Sequence, residues 1–321
     1  MTSNKTAIDL VTKNILVIRS DNTVGDVERK LLDNKYEFID YIYVVNYKEN
    51  LTGVISIKEL FREDKGSVLK RIMHGKVFSV KPEDDQEKAA KLALNKNIKA
   101  VPVVKGGNIL GVIPYHSILS VLHEEGIEDL LYSAGIHDFE DPARDIIHAS
   151  TFTHFKKRLP WLLLGLLGGT IAAMIVGVFE EMLDVYIILA AFIPAVVYMA
   201  DAIGNQAQIL FIRSMALEDV SYWNYILREM KVNLFLGLVI SFVFYLVVLL
   251  GWSDAFFALV IGISILATTF ISVLIAVILP ILFKKFDFDP AVSTGPFSTA
   301  VIDLSSLLVY FGIASLMIAF L

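Results

Sequence analysis

The chain has 321 residues, 55% of them hydrophobic, a net charge of −6, no cysteine and a mean hydropathy of +0.63. Soluble proteins run at about 45–50% apolar residues, so this composition excludes an ordinary soluble fold, and the acidic balance argues against nucleic-acid binding, whose footprint is a basic stripe. The lack of cysteine excludes disulfides and thiolate metal sites and fits a reducing compartment. Residues 1–158 are rich in Lys, Glu and Asp and hold all six His, whereas 159–321 are long Leu/Ile/Val/Phe runs broken by Gly and Pro. The first nine residues are polar and no apolar stretch follows them, so no signal peptide is expected and the N-terminal half should stay inside the cell.

That half contains an internal repeat. Tyr43-Val44-Val45, Gly53-Val54-Ile55 and Leu60 recur as Val101-Pro102-Val103, Gly111-Val112-Ile113 and Ile118, at a constant offset of 111 − 53 = 58 residues. Each copy reads as strand, charged turn, strand and helix, with an amphipathic helix upstream at 24–32 and at 84–94. Two β-α-β-β-α modules are predicted, at about 10–65 and 68–125, within a domain of residues 1–125. The pattern resembles a tandem pair of CBS domains. The resemblance implies a sensor of adenosine ligands or ions. Ribose-binding pairs often carry Asp shortly after the Gly-Val-Ile strand, where Glu59 and Ser117 stand here, so a nucleotide at the pair is possible but unsupported. The acids Glu63 and Asp64, and Glu83, Asp84, Asp85 and Glu87, are candidate regulatory metal ligands, since Mg²⁺ needs only one or two carboxylates and keeps its waters. The competing reading is a solvated acidic face. Residues 126–155 are expected to connect the halves through a helix entered at Asp141-Pro142, as N-cap and N1.

Residues 156–321 are predicted to cross the membrane five times, at 159–179, 185–203, 232–250, 256–283 and 297–321. Lys156, Lys157 and Arg158 precede the first span; Arg213, Arg228 and Lys231 lie between the second and third; Lys284 and Lys285 follow the fourth. The positive-inside rule then places the N-terminus and the soluble half in the cytoplasm and the C-terminus outside, in a multi-pass protein of the plasma membrane.

Two polar stripes interrupt the apolar half. Asp201, Asn205 and Gln208 follow i, i+4, i+7 spacing, with Gln206 beside them, and Thr299, Asp303, Ser306 and Tyr310 follow i, i+4, i+7, i+11. Both offer only oxygen ligands with a carboxylate, which suits a hard divalent cation such as Mg²⁺ or Ca²⁺. Polar groups within the bilayer are functional hypotheses by default, and Asp303, Asp201, Asn205, Gln208, Thr299 and Ser306 are read as lining the ion path, with Asp303 and Asp201 as the metal-contacting pair. Ser264, Thr268, Thr269 and Ser272 are read instead as interhelical hydrogen-bond formers. Glu180, Glu181 and Asp184 either gather cations at the outer mouth or form a solvated loop.

Arg158-Leu159-Pro160-Trp161-Leu162-Leu163, Pro194 with Gly204-Asn205-Gln206 and Arg213, and Asp289-Pro290-Ala291 with Gly295-Pro296-Phe297 and Asp303 together resemble MgtE-type magnesium channels. The resemblance covers nearly the whole chain. It implies an α-helical polytopic membrane domain preceded by a cytoplasmic α+β tandem CBS pair, a homodimer whose fifth helices meet on the two-fold axis, and Asp303 holding the hydrated ion. It also implies closure when cytoplasmic Mg²⁺ occupies the CBS pair and the connecting helix. The family's helical domain ahead of the CBS pair has no counterpart here. The family's second-span motif, Gly-Asn-x-Gly-x-Gln, reads Asp201-Ala202-Ile203-Gly204-Asn205-Gln206 in this chain, and the added carboxylate bears on ion choice.

The function expected is Mg²⁺ or related divalent transport by a gated, potential-driven channel. About 2.3 kcal/mol acts on each charge per 100 mV, so no ATP is needed, and the sequence holds no P-loop. The alternative is a Na⁺- or H⁺-coupled divalent exporter with Asp201 as the coupling site. An enzyme is not expected: His123-Glu124-Glu125-Gly126-Ile127 lacks the second His of a zinc-protease motif and lies outside the spans.

Overall fold

Runs of β-branched and aromatic residues ended by polar turns set the strands of the first half, and four long apolar stretches and a fifth with a polar stripe set the helices of the second. The computed structural model describes residues 5–136, 147–217, 221–286 and 288–320. The chain divides between Ile127 and Glu128 into two units.

In the first unit, β1 (Ile15–Arg19), α1 (Val24–Asp33), β2 (Phe38–Val45), β3 (Leu51–Ser56) and α2 (Ile57–Leu60) form the first module. Its sheet has order β1-β2-β3, with β1 parallel and β3 antiparallel to β2. Capping boxes start both helices, Thr23 with Asp26 and Ser56 with Glu59, each N-cap hydroxyl contributing about 1 kcal/mol relative to Ala. There follow α3 (Leu69–Ile72), α4 (Gln86–Lys96), β4 (Ala100–Lys105), β5 (Asn108–Pro114) and α5 (Tyr115–Ser133). The second copy's first strand is reduced to one parallel bridge, Val80 to Val103.

The two modules exchange short segments. Ala7 packs in the core of the second module with Val80, Ala89 and Val101, and Thr12 bridges Val112. Residues 68 and 74 bridge Thr23 and Val54 of the first module. The cause is backbone pairing: Thr12 and His74 each exchange two main-chain hydrogen bonds with a strand edge, Val112 and Val54 respectively. A third core, with Ile15, Phe38, Tyr43, Ala100 and Val112, joins the modules.

The second unit contains α6 (Thr151–Val178), α7 (Glu180–Val185), α8 (Ile187–Leu217), α9 (Tyr222–Trp252), α10 (Ala255–Lys285) and α11 (Pro296–Ile318). All but α7 are long and apolar enough to cross a membrane. α10 packs against α8, α9 and α11 and is the most buried of the five.

Three helices overrun their predicted spans. α6 starts at Thr151 rather than 159, α8 continues to Leu217 rather than 203, and α9 starts at Tyr222 rather than 232. Each extension lies on the side carrying Lys and Arg: hydropathy marks the bilayer crossing, whereas helical hydrogen bonding continues beyond it. The expected connecting helix is likewise divided differently. α5 runs through the expected boundary at 125/126, α6 runs unbroken from its Ser150 cap into the membrane segment, and Asp141-Pro142 lies outside the described residues.

Candidate functional site

The ion-site candidates are positioned by the junction of α8, α10 and α11. The approach to α11 is a tight turn in which Asp289 Oδ1 accepts from the Ala291 amide at 2.8 Å and starts a 3₁₀ turn over Pro290–Ser293. Gly295 then caps α11 at φ +68°, and Pro296 occupies its first turn. A Cβ on Gly295 would sit 3.0 Å from the Gly135 amide nitrogen, so the position requires glycine for both conformation and room.

Along α11 the predicted stripe divides. Tyr310 is buried and its hydroxyl donates to the Leu189 carbonyl of α8 at 2.8 Å; Ser306 is buried and its hydroxyl donates to the Asp303 carbonyl at 2.8 Å. These two face the bundle and are hydrogen-bonded there. Thr299 and Asp303 are half-buried, and Asp303 Oδ1 is enclosed without a hydrogen-bond partner.

The α8 residues divide as well. Asp201 is half-buried, Asn205 and Gln206 are exposed, and Gln208 is buried with its Nε2 3.4 Å from the Ser293 carbonyl. Gly204 brings α8 against both neighbours: a Cβ there would meet Ser272 Oγ of α10 at 2.2 Å and Ile302 Cδ1 of α11 at 2.8 Å. This close approach brings Asp201 within electrostatic reach of Asp303. Of the α10 hydroxyls, Ser272 bonds across to the Ala200 carbonyl of α8, whereas Thr268 and Thr269 bond back to their own helix and Ser264 has no partner.

Two carboxylates on two helices, one of them with an oxygen enclosed and unpartnered, bring like charge together, and a hard cation is the kind of ion that would relieve it. Among the described residues no group of three or more His, Cys, Asp or Glu could hold a metal; an ion met by only one or two carboxylates keeps much of its water, as Mg²⁺ does.

The sensor acids are differently placed. Asp84 pairs with Lys88 at 2.7 Å and accepts from the Lys81 amide at 2.7 Å; Asp85 caps α4 through the Glu87 amide. Glu87 pairs with Lys91 at 3.1 Å and Glu83 with Lys105 at 3.5 Å. Glu63 and Asp64 are exposed. Beside the second group lies a cleft of about 510 Å³ lined by Ser79, Lys81, Asp84, Lys88, Lys105 and Gly107, among others. The outer acids Glu180, Glu181 and Asp184 are exposed on α7.

Sequence reasoning missed Glu229 and Asn233, both buried on α9. Starting the third span at 232 left Glu229 outside it; the four-residue spacing of Tyr225, Glu229, Asn233 and Gly237 was the available signal.

The MgtE profile, described as a divalent cation transporter, matches residues 193–313, and the CBS domain profile matches 7–66 and 69–124. The chain is similar to magnesium transporters MgtE of Bacillus subtilis (31% identity, covering 95% of this chain and 68% of that protein). It is similarly related to those of Enterococcus faecalis (31%; 98% and 69%) and Thermus thermophilus (32%; 96% and 69%). Among solved structures, the soluble part of a magnesium transporter aligns at 30% identity and TM-score 0.37, over 38% of this chain and 49% of that one. The cytosolic domain of the Mg²⁺ channel MgtE in complex with ATP aligns at 32% and 0.36, over 37% and 50%.

Proposed function

Since the chain belongs to the MgtE family of divalent cation transporters, we propose that it carries Mg²⁺ across the membrane as a gated channel driven by the membrane potential. The observation that supports this most is the approach of Asp201 on α8 to Asp303 on α11, with Asp303 Oδ1 enclosed and unpartnered. Half-exposed carboxylates on a membrane helix are costly unless water or a cation reaches them. Thr299 is half-buried one turn below Asp303 and Asn205 is exposed one turn beyond Asp201, so both add oxygen to the same path. Gln208 and Ser306, buried beside it, hold the backbone around the path.

Exposure of Asn205 and Gln206 in a single chain is accounted for by a homodimer in which a second copy completes the pathway. At 100 mV a divalent cation gains about 4.6 kcal/mol moving inward, enough to drive uptake without ATP. The soluble unit then lies in the cytoplasm of a plasma-membrane protein whose C-terminus is outside, and closes the path when cytoplasmic Mg²⁺ is high. In that role a cation would compete with Lys88 and Lys91 for Asp84 and Glu87, and Asp85, Glu63 and Asp64 would add charge.

The test is Mg²⁺ uptake into liposomes under an imposed potential, for the parent chain and Asp303→Asn. Flux that follows the potential and falls at least about 100-fold in the variant, the scale of a lost charge-assisted contact, is the expected result. Undiminished flux in Asp303→Asn, or flux indifferent to the potential and dependent on Na⁺ or H⁺, would remove the proposal.

A further inference from the structure

The buried face of α9 is its polar face. Phe235, Val239, Phe242 and Val243 of this helix are exposed, while Tyr225, Glu229, Asn233 and Gly237, four residues apart, are buried. The C-terminal part of this stripe is fully packed. Gly237 lies against Leu266 and Thr269, and the Ser241 hydroxyl donates to the Gly262 carbonyl at 2.6 Å. Toward the helix start, the Tyr225 ring packs on Phe211 of α8 at 4.8 Å.

Between these fixed points the polar groups are incompletely satisfied. Asn233 is 1% exposed, and neither its Oδ1 nor its Nδ2 has a hydrogen-bond partner. Glu229 is 8% exposed, and the nearest cationic group to it among the described residues is Arg228, at 3.8 Å. Arg228 is itself largely exposed and lies over the Tyr225 ring at 4.5 Å. The Tyr225 hydroxyl is within electrostatic reach of Glu229, and Ser214 and Arg228 interact with it as well. One buried helix face therefore carries a carboxylate, an amide and a phenol.

We propose that Tyr225, Glu229 and Asn233 form a binding site for an alkali cation, separate in residues from Asp201 and Asp303. The donors are all oxygen, which selects a hard ion. Arg228, exposed and 3.8 Å away, offsets the Glu229 charge only in part, so one further positive charge suits the group, whereas a divalent ion would leave an uncompensated charge in the low-dielectric bundle. Asn233 Oδ1 and the Glu229 carboxylate contact the ion. The ion ties the polar face of α9 to the bundle, a role independent of the transport reading.

The test is the thermal unfolding of the purified full chain in detergent, with divalents chelated, in about 150 mM NaCl, KCl or choline chloride. A bound ion raises Tm by mass action, and a rise of about 3 °C or more in NaCl or KCl over choline chloride is expected for a chain of this size. Asn233→Ala and Glu229→Gln should each abolish the difference, and Glu229→Gln, being isosteric, retains the packing if Asn233→Ala does not fold. Equal Tm in all three salts, or a salt difference that survives Glu229→Gln, would overturn the site. A Tm raised by Mg²⁺ or by acid but not by alkali ions would assign the pocket to a divalent ion or a proton and equally overturn it.

Discussion

Replacing Gly204 with Ala adds one methyl group where α8, α10 and α11 meet. Its Cβ would lie 2.2 Å from Ser272 Oγ, against 3.4 Å or more for ordinary contact, so the hydroxyl must retreat by 3.4 − 2.2 = 1.2 Å. That retreat breaks the Ser272 bond to the Ala200 carbonyl, worth about 1 kcal/mol, and overpacking against Ile302 adds about 1–3 kcal/mol. The expected loss is about 2–4 kcal/mol, or roughly 3–6 °C in Tm for a chain of this size. Ser272→Ala alone removes the hydroxyl and costs about 1 kcal/mol. In the double variant the 2.2 Å clash is gone, while Ser272 Cβ at 3.5 Å is tolerable and Ile302 must still move. The double variant should therefore lose about 1 kcal/mol or more less than the sum of the singles, a coupling within the range for residues in contact. Thermal melts of all four proteins in the same detergent complete the cycle. Strict additivity would refute the reasoning, because it would mean that the added methyl never meets Ser272. Mg²⁺ flux should fall in Gly204→Ala before stability does, since the same displacement separates Asp201 from Asp303.

Three further outcomes follow from the geometry. Tyr310→Phe removes the hydroxyl from the Leu189 carbonyl and should cost about 1–3 kcal/mol in unfolding free energy with the carbonyl left buried; an unchanged Tm would contradict the bond. Asp201→Asn should retain Mg²⁺ flux while lowering that of larger divalents such as Ca²⁺ in competition assays, because it removes one of two carboxylates; unchanged ion ratios would remove Asp201 from the path. Glu59, hydrogen-bonded by His74 at 2.9 Å and by Ser56, is held down from 4.5 to about 2. A depressed carboxyl stabilises the fold above its ordinary range and loses that contribution as pH falls from about 4.5 toward 2. Glu59→Gln should therefore flatten the loss of backbone protection around α2 in that window, read by hydrogen exchange; an unchanged slope would refute it.

Much of this architecture is legible in the residues. The 58-residue offset gives both modules, because short Val- and Ile-rich runs bounded by polar turns make strands buried on both faces, and the apolar runs give five spans. The exchange of residues 6–12 and 68–74 was hidden, since those segments attach through main-chain hydrogen bonds that carry no side-chain pattern. In α11 the spacing of Thr299, Asp303, Ser306 and Tyr310 places them on one broad face. Spacing does not reveal that Tyr310 finds the Leu189 carbonyl and turns its end of the stripe inward. Glu229 escaped because an acid beside Arg228 and Lys231 reads as a charged loop; only the continuation of α9 to Tyr222 buries it.

The central position of α10 orders the birth of the protein. It is the fourth long apolar helix to leave the ribosome, yet it is the one against which α8, α9 and α11 all rest. Until it arrives, nascent α8 and α9 must wait in the lipid with Ala200, Asn233 and Gly237 facing no partner. Arrival of α10 supplies Ser272, Thr269 and Leu266 to these surfaces together. A chain truncated before Ala255 should therefore be inserted but unassembled, and open to the proteases that police the membrane.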